Sequence, residues 1–238
     1  MSTSASNAAD ARRLVRTIAE GEESYAENPF LGRIRSGQAT QEDTRRLVEA
    51  ELRLIDTEAA AYGAMAMRFY AKPQDVYCTR LLEMVQNAKP RLLEAAGSLG
   101  VDVRDASPHK RSELTEHAYG CFLSWLALNG DRAAIGLASY VDVESYYRTQ
   151  NALAAYLREP GRDTTPEILE YYRHVDAGVL REGALAFAQA GLDEGGDPDR
   201  AVRLAGLMRE ALREFWTAGR PQPHEPGPPA DHPSEPLP

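Results

Sequence analysis

Carboxylates set inside apolar helical faces are the first chemistry this sequence offers. The stretch ASYVDVESYYRTQNALAAYL, residues 138–157, has no clean polar side, yet it carries Asp142 and Glu144 among Tyr140, Tyr146 and Tyr147. A buried carboxylate must find a donor, a cation or a proton, because desolvating it alone is expensive. Projection at about 100° per residue sorts such groups from solvated ones. Over 41–70, Leu47, Val48, Leu52, Ile55, Tyr62 and Met65 fill one arc, and Glu51 and Glu58 fall near its centre. Over 166–191, treated as one helix, Ile168, Leu169, Val175 and Val179 define an arc that takes in Tyr172 and Asp176. Glu144 shares a side with Leu137, Tyr140 and Asn151, and Tyr119 lies beside Phe122 and Leu126.

This pattern has two readings. Each inward acid could be a structural group paired with an arginine or a phenol. Alternatively, several could converge on a polar pocket, where crowded, dry carboxyls acquire raised pKa values and phenols orient or donate protons to a bound organic molecule. On the second reading Glu51, Glu144 and Tyr172 are the catalytic candidates. Tyr119, Glu58, Asp176, Tyr140 and Asn151 are the substrate-binding candidates. No metal site is assigned: Glu170 and His174 have an i, i+4 spacing but project to the polar face, and Glu113 and His117 have the same spacing with His117 only at the edge of its apolar face.

The elements that must position these groups are helices. Amphipathic segments dominate and alternating β-branched runs are nearly absent, so the sequence predicts an all-α bundle of about seven helices, near 8–26, 41–70, 75–99, 110–128, 131–158, 166–191 and 197–218. Thr40 followed by Asp43 resembles a capping box, Thr165 precedes Pro166 at a first turn, and Asn129-Gly130-Asp131 separates two helices. One domain over 1–219 is expected. The tail over 220–238 holds eight of the 15 prolines and is expected to be disordered.

Composition narrows the function classes. A formal charge of −9 repels nucleic acid and acidic membrane surfaces, so neither is an expected partner. Cys78 and Cys121 suggest neither a disulfide framework nor a zinc site, and no signal-type segment or membrane-length apolar run is present. A cytoplasmic location is the expectation.

Several short motifs carry a family resemblance. NPFLGRIRSGQATQEDTRRLVEAELRLI, HAYGCFLSWLALNG and LREFWTAG, in that order and at those separations, resemble the TenA, thiaminase II and PqqC group across roughly residues 25–218. The resemblance implies a heme-oxygenase-like helical fold, a small nitrogenous or aromatic substrate, and a homo-oligomer. It places Glu51 where those enzymes have an active-site aspartate, Tyr119 and Tyr172 at pocket tyrosines, and Glu144 at the nucleophilic cysteine. A carboxylate does not replace a thiolate as an equivalent nucleophile. Leu212 likewise stands in place of the glutamate of the family's Glu-x-x-Phe-Trp pattern. The spacing of Glu144, Tyr172 and Asp176 is similar to that of PqqC, with Asn151 in place of a histidine. The expected function is therefore cofactor-free acid–base chemistry in cofactor salvage or specialised metabolism. The alternatives are a non-heme iron oxygenase of the same fold and a non-catalytic ligand-binding or regulatory protein.

Overall fold

The computed structural model describes residues 10–20, 28–102 and 117–217. Among these the chain forms helices α1 (Ala11–Glu20), α2 (Pro29–Arg35), α3 (Gln41–Arg68), α4 (Val76–Ser98), α5 (Ala118–Asn129), α6 (Arg132–Leu157), α7 (Pro166–Tyr171), α8 (Gly178–Asp193) and α9 (Pro198–Thr217), with a 3-10 turn at Pro73–Asp75. No strand occurs among the described residues, and no helix there is long and apolar enough to cross a membrane. The proline-rich tail lies outside the described residues, as do both ends expected for the first helix and the start expected for the fourth.

Local chemistry sets most boundaries. Thr40 accepts from the Asp43 amide while the Asp43 carboxylate accepts from the Thr40 amide, a reciprocal cap for α3. Thr165 accepts from the Ile168 amide at the start of α7, and Asp131 accepts from the Ala134 amide at the start of α6. Asn28 does two jobs: its side-chain oxygen caps α2, and its amide donates to Thr149, tying α2 to α6.

α6 is the central element, with α8 and α9 as its main neighbours. Its first half is built from small residues, and α8 approaches nearly backbone to backbone. A Cβ on Gly136 would lie 2.5 Å from the Ala188 amide nitrogen, and one on Gly191 would lie 2.1 Å from that of Ala133. Only glycine permits this crossing. At the same end, Arg132 forks onto Asp75 with bonds of 2.9 and 3.0 Å and lies over the Phe69 ring.

The segment predicted as one helix over 166–191 is two, separated by Tyr172 to Ala177. Distant side chains on α6 and at its C-cap account for the break. Gln150 donates to the Arg173 carbonyl, Asn151 both donates to the Val175 carbonyl and accepts from its amide, and Arg158 donates to the carbonyls of Leu169 and Tyr172. These bonds replace the ones a continuous helix would supply, so the loop's backbone is satisfied without being helical.

Candidate functional site

α3, α4, α5, α6, the 172–177 loop and α9 enclose a cavity of about 210 Å3. Its apolar walls come from Leu54 and Ile55 on α3, Leu81 and Val85 on α4, and Leu212 and Phe215 on α9. Set into them are three carboxyls, Glu51, Glu58 and Asp142, and a group of phenols.

α3 supplies two of the acids from one face, because Glu51, Ile55, Glu58 and Tyr62 recur at helical spacing. α6 supplies Asp142, Tyr146 and Gln150, four residues apart, so they form one stripe. Tyr146 is fixed from behind: it stacks on Trp216 at 5.7 Å, and Trp216 stacks on Phe30 at 6.1 Å. Phe215 packs against Tyr119 at 6.0 Å and lines the cavity. The Pro-Phe and Phe-Trp pairs that carry the family resemblance are thus the supports of the cavity's phenols.

The acids have different surroundings. Glu51, 5% exposed, accepts one bond on each oxygen, from Tyr146 and from Tyr172, both 2.9 Å. Burial pushes its carboxyl up to about 7, and the phenol bonds hold it from rising further. Asp142, 8% exposed, accepts from Tyr119 at 3.0 Å, and burial likewise pushes it up to about 7. Glu58 rises to about 8, through burial first and then the charges of Asp142 and Glu51.

Tyr119 lies between two of these acids, 3.0 Å from Asp142 and 3.3 Å from Glu58. A phenol has a single proton to give. With that proton on the shorter bond to Asp142, a good contact to Glu58 requires protonated Glu58 to donate to the phenolic oxygen. The arrangement is a chain from neutral Glu58 through Tyr119 to ionised Asp142, in accord with Glu58 having the higher pKa. Such a chain can deliver a proton at one end and accept one at the other.

The sequence-derived candidates divide into two sets. Glu51, Glu58 and Tyr119 line the cavity, and Tyr172, 1% exposed, stands behind Glu51 as its hydrogen-bond donor. Glu144 does not reach the cavity: its side chain, 36% exposed, pairs with Arg181 of α8 at 2.7 Å. The carboxylate that α6 turns inward is Asp142. Tyr140 lies on the same outer side, close enough to feel the charges of Glu144 and Arg181. Asn151 holds the loop backbone rather than a ligand. Asp176 is exposed and accepts from the Gly178 amide at the start of α8. Its inward projection assumed a helix through 172–177, and the break removes that phase. His174 is exposed in the loop and Glu170 pairs with Arg173, so that spacing marks solvated groups, while Glu113 lies outside the described residues.

Tyr62, Tyr146, Tyr147, Tyr171, Gln150 and Arg91 also line the cavity without having been singled out as site residues. The four-residue spacing of Asp142, Tyr146 and Gln150 was the available signal. The residues of this lining do not suit the non-heme iron alternative, because no imidazole stands beside the carboxylates. Among the described residues no group of three or more His, Cys, Asp or Glu is arranged to hold a metal ion.

Neither a family model nor a curated protein matches the sequence. Solved structures do. A TenA homologue from Pyrococcus furiosus superposes with a TM-score of 0.65 at 13% identity, covering 87% of this chain and 100% of that one. A TenA homologue from P. horikoshii OT3 superposes with a TM-score of 0.61 at 18% identity, covering 88% and 96%. The chain has the TenA-type helical fold.

Proposed function

We propose that this chain is a TenA-type enzyme that acts on a small nitrogenous or aromatic metabolite by proton transfer inside the enclosed cavity. One observation carries the reading: three carboxyls with pKa values raised into the neutral range face a single apolar cavity, two of them joined through Tyr119. Phenols hold these acids without neutralising them, and the cavity beside them leaves room for a guest.

In this reading Asp142 accepts a proton from the bound molecule, or holds its protonated nitrogen. Glu58 donates through or beside Tyr119 to the group that gains charge. Glu51, fixed by two phenols, orients a ring or amine N–H. The apolar walls keep bulk water from competing for these bonds, which strengthens each of them. Cofactor salvage or specialised metabolism is the setting this chemistry suits.

The test has two stages. Aminopyrimidines, quinones and amino-acid-derived amines are screened for thermal stabilisation of the protein, since a ligand specific to the folded state raises its melting temperature by mass action. Turnover of the stabilising compounds is then followed in wild type, Asp142→Asn and Glu51→Gln. The expected result is loss of turnover with helical content retained. Unchanged kinetics in both variants would remove the assignment.

A further inference from the structure

Arginines in this protein are mostly engaged: Arg33 with Asp43, Arg132 with Asp75, Arg181 with Glu144, and Arg158 with backbone carbonyls. Arg91 is different. It lines the cavity and is half-buried, yet among the described residues it takes part in no hydrogen bond or ion pair. A guanidinium placed against a cavity wall with no partner of its own is preorganised for an anion that enters the cavity, and its planar fork suits two oxygens at once.

Its position follows from the helices. On α4 the cavity face runs Leu81, Met84, Val85, Ala88, Arg91, a span of about 15 Å at 1.5 Å per residue. Leu81 and Val85 are buried and Met84, Ala88 and Arg91 are half-buried, so the opening lies toward the Arg91 end. Lys89 of α4 pairs with Asp56 of the antiparallel α3, which sets Arg91 level with Leu54, about 6 Å along the axis from Glu58. Tyr147 is close enough to Arg91 for that charge to offset part of the rise that burial imposes on its phenol. Arg173 also borders the opening, but it is exposed and already has Glu170 at 3.4 Å. Glu51 falls about 5 Å along the axis on the other side of Leu54, so an unanswered cation stands between Glu51 and the group of Glu58, Tyr119 and Asp142.

We propose that Arg91 anchors an anionic group, a carboxylate or a phosphate, on a ligand whose basic nitrogen is held by Glu58, Tyr119 and Asp142. This rests on the reading of the cavity as the ligand site. It adds that the ligand carries opposite charges roughly 6 Å or more apart, a distance taken from the helical rise.

The test uses three probes of one shape: para-(aminomethyl)benzoate, its methyl ester and para-(aminomethyl)phenyl phosphate. Each is titrated calorimetrically into wild type, Arg91→Gln and Asp142→Asn at neutral pH. Wild type is expected to bind at least one of the two anionic probes roughly tenfold or more tightly than the ester, the worth of one charge-assisted bond. The larger of the two gains identifies carboxylate or phosphate as the preferred anion. Arg91→Gln is expected to erase that gain, leave the ester's affinity alone and melt as wild type does, because Arg91 has no partner to lose. Asp142→Asn is expected to weaken all three. Equal affinities in wild type, or a gain that survives Arg91→Gln, would overturn this inference and leave the cavity reading standing. Unchanged binding in Asp142→Asn would overturn the placement of the nitrogen. If none of the three probes, the ester included, binds wild type at millimolar concentration, the cavity reading falls and this inference with it.

Discussion

Replacing Asp142 by asparagine should stabilise the protein, and by an amount that depends on pH. The side chain is 8% exposed and its carboxyl is held at about 7 against an ordinary 3.8, with burial as the main cause. In the window between those values the folded state keeps a proton that the unfolded chain releases. The folded state thus binds more protons, so stability falls as pH rises through the window. From about pH 5 to about pH 8 this one group takes about 2–3 kcal/mol from the wild type. Asparagine has nearly the same shape, keeps an oxygen to accept from Tyr119, and does not titrate. The difference in stability between variant and wild type should therefore widen by that amount over the range, about 5–10 °C in melting temperature for a chain of this size. Removing the Asp142 charge also relieves Glu58, whose carboxyl is raised in part by it, and this adds in the same direction. The assay is thermal unfolding by circular dichroism at closely spaced pH values. Curves that run parallel for the two proteins would refute the claim that burial lifts the Asp142 carboxyl into the neutral range.

Other perturbations test the frame and the corrected assignments. Gly191→Ala should destabilise by about 3 kcal/mol in urea unfolding, because its Cβ would stand 2.1 Å from the Ala133 nitrogen and α6 and α8 must move apart. Arg132→Ala should lower stability by about 1–3 kcal/mol in the same assay, since Asp75 loses its fork and keeps the bond from the Lys72 amide. Glu144→Gln should change stability by less than about 1 kcal/mol and leave ligand affinity unaltered, because its pair with Arg181 is open to solvent and faces away from the cavity.

What could be read from the sequence was what local chemistry decides. The capping box at Thr40 and Asp43, the Thr165-Pro166 start and the Gly130-Asp131 junction each act within a few residues, and the structure has them all. α3 is amphipathic, so its inner face, and with it Glu51 and Glu58, could be phased from spacing alone. α6 is enclosed and apolar nearly all round, so projection gave no preferred direction, and Glu144 was as plausible an inward acid as Asp142. The deciding contacts, Tyr119 on Asp142 and Arg181 on Glu144, come from other helices. The break before α8 has the same origin. Residues 172–177 contain neither proline nor glycine, and the groups that stabilise the loop, Gln150, Asn151 and Arg158, lie elsewhere in the chain. Nothing in the sequence sets Arg91 apart on its helix; the cavity beside it and, among the described residues, its lack of a partner do.

The central claim is that Glu51, Glu58 and Asp142 are proton-exchanging groups of one water-poor cavity. Carbon-detected NMR titration of the aspartate and glutamate carboxyls tests it directly, with Glu51→Gln, Glu58→Gln and Asp142→Asn assigning the resonances. The account predicts three carboxyls that titrate at about 7, about 8 and about 7 in the folded protein, each lost in its own variant. Titration of all three in the ordinary carboxylate range would contradict it.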